Sequence, residues 1–260
     1  MADILNEIIA HKRQELARLT GKRVSMADAL RRSPSGIIAE FKRKSPSRGW
    51  IHADVEPEQI IPQYVQGGAA ALSILTDEAY FGGSPEFITR VRGLVGTCPI
   101  LRKEFIVDPY QIYEAKVLGA DAILLIAAAL APGDYSQLLA LAHRLHLEVL
   151  LEVHDYQELE YLREGVSDML GVNNRSLGTF HTDVQHSFEI AEAMKAAVAD
   201  LGEQAPVLVS ESGISDPDAV CRLRQAGFRG FLIGECFMRE ADPGRALAEF
   251  LRELSGVNGS

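Results

Sequence analysis

Five short apolar runs in this chain of 260 residues end in a charged or amide side chain. One closes on Glu40-Phe41-Lys42, and others close on Lys103, on Glu152, on Asn173 with Arg175 just beyond, and on Glu211-Ser212-Gly213. Alternate residues of an extended run share a side, so Glu40 and Lys42 point together. A packed interior does not take up lysine or glutamate unless the charge is paired or used. Two lysines among three glutamates make a mixed acid–base cluster. Opposite charges hold some of these groups ionised while burial drives others neutral. A proton donor and a proton acceptor can then coexist near pH 7. Each well-placed acid or base is worth roughly 10²–10⁴-fold in rate. Any one of these residues alone reads as readily as a solvated loop charge; it is their common position at run ends that points to one site.

A second feature points to an anion. Ser212-Gly213-Ile214 and Ile233-Gly234-Glu235 are short glycine-containing turns after consecutive runs. Glycine lets backbone N–H groups approach an anion closely, and Ser45 and Arg175 can add donors. Glycine turns are common, so the signal lies in their consecutive placement. The seven histidines form no HxH or HExxH pattern, and the three cysteines, Cys98, Cys221 and Cys236, are scattered. No metal site or disulfide framework is expected. His154 follows the Glu152 run and reads as a loop residue. With no GxGxxG after a run and no Walker loop, no nucleotide cofactor is implied.

The elements that position these residues follow a rhythm. Eight apolar runs cover 36–42, 71–75, 99–103, 122–127, 148–153, 168–173, 207–211 and 230–234. Helical patterns lie between and after them, at 57–66, 85–95, 110–118, 134–145, 156–163, 184–200, 216–225 and 243–254. Strict alternation implies parallel strands with right-handed crossovers. Eight units favour a closed (βα)8 TIM barrel of α/β class, with an open doubly wound sheet as the alternative. In such barrels chemistry gathers at the C-terminal strand ends, and a phosphate often sits after strands seven and eight. An amphipathic helix over 4–19 and a short one over 25–32, capped by Ser25, predict an N-terminal helical extension (1–35) on a single barrel domain (36–255).

A net charge of −10 argues against a nucleic-acid surface. The longest apolar run, 122–131, is too short to span a bilayer. The acidic N-terminus has no signal-peptide core. These features predict a soluble, cytoplasmic protein with a small-molecule partner, no membrane and no nucleic acid, as a monomer or weak homo-oligomer.

At these same run ends the sequence resembles the indole-3-glycerol-phosphate synthase family. The likeness rests on residues 38–49 (IAEFKRKSPSRG), 75–77 and 80–84 (LTD, YFGGS), 101–111 (LRKEFIVDPYQ), 151–154 (LEVH), 171–175 (GVNNR) and 209–214 (VSESGI). It covers nearly the whole chain. The resemblance implies that 1-(2-carboxyphenylamino)-1-deoxyribulose 5-phosphate undergoes ring closure, decarboxylation and dehydration, with no cofactor. It implies that Lys103 is the general acid on the sugar carbonyl and that Glu152 acts in acid–base steps of the dehydration. Lys42 would hold the substrate carboxylate, with a share in the acid role as the alternative left open, and Glu40, Asn173 and Glu211 would position the anilino and hydroxyl groups. Ser45, Arg175, Ser212, Gly213, Gly234 and Glu235 would surround the phosphate, and Phe81, Phe105 and Leu125 would wall the aromatic ring.

The chain departs from the family pattern at a few points. Glu104 stands where aspartate is usual, and Glu235 where many members have a small residue. A carboxylate facing a phosphate repels it, so the backbone N–H of Glu235 is expected to face the phosphate while the side chain turns away. The 180–204 segment is longer than the other connections, and the length leaves no room for the fused isomerase barrel of some relatives. Three other readings compete. A Schiff-base aldolase on Lys103 or Lys42 would need a lysine of lowered pKa. A phosphoribosylanthranilate isomerase lacks its Cys–Asp pair here. A non-catalytic sugar-phosphate binder would be favoured had Lys103 or Glu152 been missing. The 44–52 stretch, with Pro46 and Gly49, reads as a loop able to close over substrate.

Overall fold

The computed structural model describes residues 24–176 and 181–257. The helix expected over 4–19 lies outside the described residues. Eight parallel strands close into a barrel in sequential order. They are β1 (Ile37–Phe41), β2 (Ala71–Leu75), β3 (Ile100–Lys103), β4 (Ala122–Ile126), β5 (Glu148–Val153), β6 (Met169–Asn173), β7 (Val207–Glu211) and β8 (Gly230–Ile233). The seam between β8 and β1 pairs Phe231 with Ile37 and Ile233 with Ala39. The alternation read from the sequence thus forms the closed barrel and not the open sheet.

The helices longer than one turn are α1 (Met26–Arg32), α2 (Pro57–Gly67), α3 (Glu86–Arg92), α4 (Pro109–Leu118), α5 (Pro132–Arg144), α6 (Gln185–Val198), α7 (Pro217–Gln225) and α8 (Pro243–Val257). Their boundaries are written locally. Proline opens α2, α4, α5 and α7, where its missing N–H costs no helical bond. The Asp108 and Asp216 side chains accept from the N–H groups of Tyr110 and Ala219, capping α4 and α7.

The helix expected over 156–163 is instead a 3₁₀ segment, Gln157–Arg163. This connection has only seven helical residues to lead back from β5 to β6. A 3₁₀ helix rises about 2.0 Å per residue against about 1.5 Å for an α-helix, so it covers more of that path. Tyr161 anchors it, with its ring edge-on to Tyr135 and its hydroxyl on the Leu130 carbonyl.

Strand alternation splits the core into two layers. Ile38, Leu101, Leu124, Leu150, Val209 and Leu232 fill the barrel interior. Ile37, Phe41, Ile74, Leu125, Leu151 and Phe231 pack outward under the helices. Met26, Ala27 and Leu30 of α1 join the interior layer and close the N-terminal end of the barrel. The opposite end carries the polar residues.

Candidate active site

Along five of the eight strands the interior-facing position nearest the C-terminal end is polar. The inward register runs Ile38–Glu40 on β1, Leu101–Lys103 on β3, Leu150–Glu152 on β5, Met169–Gly171–Asn173 on β6 and Val209–Glu211 on β7. Five strands therefore deliver Glu40, Lys103, Glu152, Asn173 and Glu211 to one mouth, with Lys42 one step beyond β1. The Lys103 ammonium lies 2.8 Å from Glu152 Oε2 and 3.4 Å from Glu211 Oε2. Asn173 donates to the other Glu152 oxygen at 3.1 Å. Lys42 donates to Glu40 Oε1 at 2.7 Å. All three carboxylates are buried.

Two glycines make room for these acids. A Cβ on Gly171 would sit 2.2 Å from Glu211 Oε1, and one on Gly234 would sit 2.5 Å from Glu40 Oε1. Any side chain at either position would displace a carboxylate.

Burial sets the charge state of the cluster. Desolvation alone would pull the Lys103 ammonium down, but Glu152, Glu211 and Glu40 outweigh it and hold the group above the ordinary lysine range. Burial also resists the charge on Glu152, yet Lys103 beside it, with His154 and Asn173, holds its carboxyl below the usual range. Burial pushes Glu211 up to about 8, against the pull of Lys103 and with the repulsion of Glu152 and Glu40. Two ammonium groups thus face three carboxyls, one of which keeps its proton at neutral pH. Neither Glu211 oxygen makes a well-formed hydrogen bond, and both are buried.

Beside the cluster a cavity of about 590 Å³ is walled by Glu40, Lys42, Arg175, Ser212, Gly213 and Gly234, among others. Ser212 and Gly213 both adopt left-handed backbone, with φ of 68° and 78°. Glycine does so freely, whereas for serine it is uncommon. The pair turns the chain sharply at the end of β7.

Four sequence expectations need correction or addition. Leu125 does not reach the mouth. Its side chain lies in the outward layer under the helices and is fully buried there. Period-two alternation turns the interior face of β4 to Leu124 and Ile126, and Ile126 is the neighbour of Glu152 in the register. Glu235 does not turn away. Its two oxygens engage Arg48 at 2.5 Å and Arg175 at 3.4 Å on the cavity wall, because these two cations offer its charge a better environment than solvent does. Ser45 is buried with no hydrogen-bond partner for its hydroxyl. Ser47 stands on the cavity wall and accepts from Arg175 at 2.8 Å. His154 follows β5 in a bend, yet both its ring nitrogens are buried, with Nε2 3.6 Å from Glu152 Oε1. Alternation from Glu152 was the signal for it.

Phe81 and Phe105 lie with ring centroids 6.2 Å apart. The 44–52 segment is a small two-stranded ribbon, pairing Lys44 with Trp50 and Ser45 with Gly49. Trp50 packs over Gly82 and receives the Lys44 ammonium on its ring. Among the described residues, no cluster of metal-ligating side chains is found, and no helix is long and apolar enough to cross a membrane.

The comparisons with known proteins bear on the same frame. The family model for indole-3-glycerol phosphate synthase matches residues 3–250. An indole-3-glycerol phosphate synthase of Bacteroides thetaiotaomicron is 52% identical over 269 residues, covering 98% of this chain and all of that one. One of Magnetococcus marinus is 42% identical, covering 96% and 98% of the two chains. Among solved structures, a thiamine phosphate pyrophosphorylase from Pyrococcus furiosus superposes with a TM-score of 0.62 at 16% identity, covering 90% of this chain and 99% of that one, and so shares the fold. With the family model spanning the barrel and relatives aligned nearly end to end, this chain belongs to the indole-3-glycerol phosphate synthase family.

Proposed function

We propose that the protein closes the ring of 1-(2-carboxyphenylamino)-1-deoxyribulose 5-phosphate, with loss of carbon dioxide and water, to form indole-3-glycerol phosphate. The observation that carries this reading is the Lys103 ammonium, 2.8 Å from Glu152 in the buried mouth and beside an arginine-bearing cavity. Lys103 is the general acid. As the aromatic carbon attacks the sugar carbonyl, its oxygen becomes an alkoxide. An alkoxide is more basic than any amine, so even a lysine held above its usual range gives up its proton there. The same cation stabilises the developing oxyanion. Losing the carboxylate as carbon dioxide restores the aromatic ring, and the protonated imine formed on closure accepts the electrons. Glu152 then serves the dehydration in acid–base steps.

In this reading Lys42 holds the substrate carboxylate, while Glu40, Asn173 and Glu211 position the anilino and hydroxyl groups. Arg175, the left-handed Ser212–Gly213 turn, the close backbone at Gly234 and the orphan Ser45 hydroxyl surround the phosphate. Phe81 and Phe105 flank the aromatic ring. At Lys103 the aldolase alternative loses support, since imine formation needs a neutral amine and the carboxylates around that ammonium hold it above the ordinary lysine range. The proposal extends to a cytoplasmic enzyme of one barrel domain, a monomer or weak homo-oligomer that uses neither nucleic acid nor membrane. The net charge of −10 is in keeping with that.

The test is direct. Purified protein mixed with the anilino-deoxyribulose phosphate should generate indole fluorescence and one carbon dioxide per turnover. Folded protein that binds a sugar phosphate but gives no product would instead be a non-catalytic binder, and borohydride trapping of a lysine adduct would restore the aldolase.

A further inference from the structure

The cavity wall holds an anion already, and the protein supplies it. Arg175 donates through Nη1 to the Ser47 hydroxyl at 2.8 Å and through Nη2 to Glu235 Oε2 at 3.4 Å. Arg48 Nε lies 2.5 Å from Glu235 Oε1. Each oxygen of one carboxylate therefore serves one guanidinium, the arrangement a phosphate would make with the same pair. All four residues line the cavity shared with Ser212, Gly213 and Gly234.

Position makes this contact more than a surface ion pair. The Arg175 and Glu235 side chains are mostly buried, at 21% and 23% exposed, so solvent screens them only in part. Arg48 is more open, at 67%, and sits in the turn between Ser45 and Gly49, which pair across the ribbon. Glu235 opens the single helical turn after β8. The carboxylate therefore ties the 44–52 ribbon to the end of β8. A phosphate dianion arriving at this wall meets two cations whose charge is partly cancelled by a fixed carboxylate.

We infer that Glu235 is an internal competitor for the substrate phosphate. In the ligand-free protein its carboxylate occupies the Arg48–Arg175 pair. The incoming phosphate takes both guanidinium groups, and the carboxylate swings toward solvent. On product departure it returns, shielding the arginines again and easing release. Glu235 is in this sense a positioning residue that tunes phosphate affinity without touching the reacting carbons. The inference rests on the phosphate assignment made under Proposed function, and the experiment separates the two.

Inorganic phosphate and glycerol 3-phosphate are titrated into the full-length protein by calorimetry at constant ionic strength. The proteins are wild type, Glu235→Gln, Glu235→Ser, Arg175→Gln and the Glu235→Gln/Arg175→Gln double variant, each checked for an unchanged melting transition. Removing the carboxylate should tighten phosphate about three- to tenfold, the worth of partly exposed ion pairs that no longer have to break. Both Glu235 variants should show it, so a folding defect in one leaves the other to decide. Arg175→Gln should weaken binding and shrink the gain from Glu235→Gln. Unchanged or weaker binding in the Glu235 variants, with Arg175→Gln still weakening it, overturns the competitor role alone. Unchanged affinity in Arg175→Gln removes the phosphate assignment, and the inference with it.

Discussion

Strand β5 carries two buried glutamates on one face, four residues apart, and they live different lives. Glu148 is 3% exposed at the floor of the barrel and Glu152 is 2% exposed at the mouth. At the floor, Glu148 accepts from the Ser25 hydroxyl at 2.6 Å and from the N–H groups of Met26 and Ala27 at 2.7 and 3.0 Å. These donors belong to the first turn of α1, whose positive dipole end suits a carboxylate. They are backbone and cap, fixed in place. At the mouth, Glu152 meets the ammonium of Lys103 and the amide of Asn173, two side chains that can reorient or trade a proton. Burial and residue type are the same at the two ends; partner type differs. A carboxylate satisfied by fixed donors holds a plug in the barrel, whereas one paired with a movable cation is poised for chemistry.

The largest effect expected from breaking this contrast is at Lys103. Lys103→Ala should lower turnover by roughly 10²–10⁴-fold, measured by indole fluorescence under saturating substrate. Turnover within a factor of a few of wild type would remove Lys103 from the general-acid role.

Next comes a pH effect specific to the mouth. Burial, aided by Glu152 and Glu40, pushes Glu211 up to about 8 in the folded state, against about 4.3 for an unfolded glutamate. The folded protein therefore keeps a proton that the unfolded chain loses. This contribution to stability is full below the unfolded pKa and is lost as pH rises through about 8. Glu211→Gln should flatten the decline of unfolding free energy between pH 5 and 8, where wild type falls by up to about 1.4 kcal/mol per pH unit from this group. Urea unfolding at pH 5, 6.5 and 8 checks it, and parallel curves for the two proteins would contradict it.

Shortening the 44–52 ribbon should raise KM, or change kcat and KM together, since its Arg48 and Ser47 reach the cavity wall. Unchanged values for both would sink the closure role. The smallest expected effect is at Leu125. Leu125→Val trims a side chain beneath the helices and should cost stability by about 1 kcal/mol while leaving KM unchanged. A raised KM would return Leu125 to the substrate wall.

The sequence carried the frame well because alternation of strand and helix is a repeated, local signal. It also carried the polar ends of β1, β3, β5, β6 and β7, because a lysine or glutamate after an apolar run stands out against its neighbours. What it missed depends on direction or on distant partners. Leu125 looked suitable by type, but one step of the two-residue period turned it outward. Glu235 looked repulsive to phosphate when considered alone; Arg48, 187 positions away, decides where it points. The role of Glu148 depends on α1, more than a hundred residues earlier. The 3₁₀ form of Gln157–Arg163 follows from the path it must cover, which apolar spacing does not encode.

The contrast between floor and mouth is tested most directly by measuring kcat and urea stability for Glu152→Gln and Glu148→Gln side by side. The account predicts that Glu152→Gln loses roughly 10²-fold or more in kcat with its fold intact. It predicts that Glu148→Gln keeps kcat per folded molecule while losing about 1–3 kcal/mol of stability. Equal losses of kcat in the two variants, or near wild-type turnover in Glu152→Gln, would contradict it.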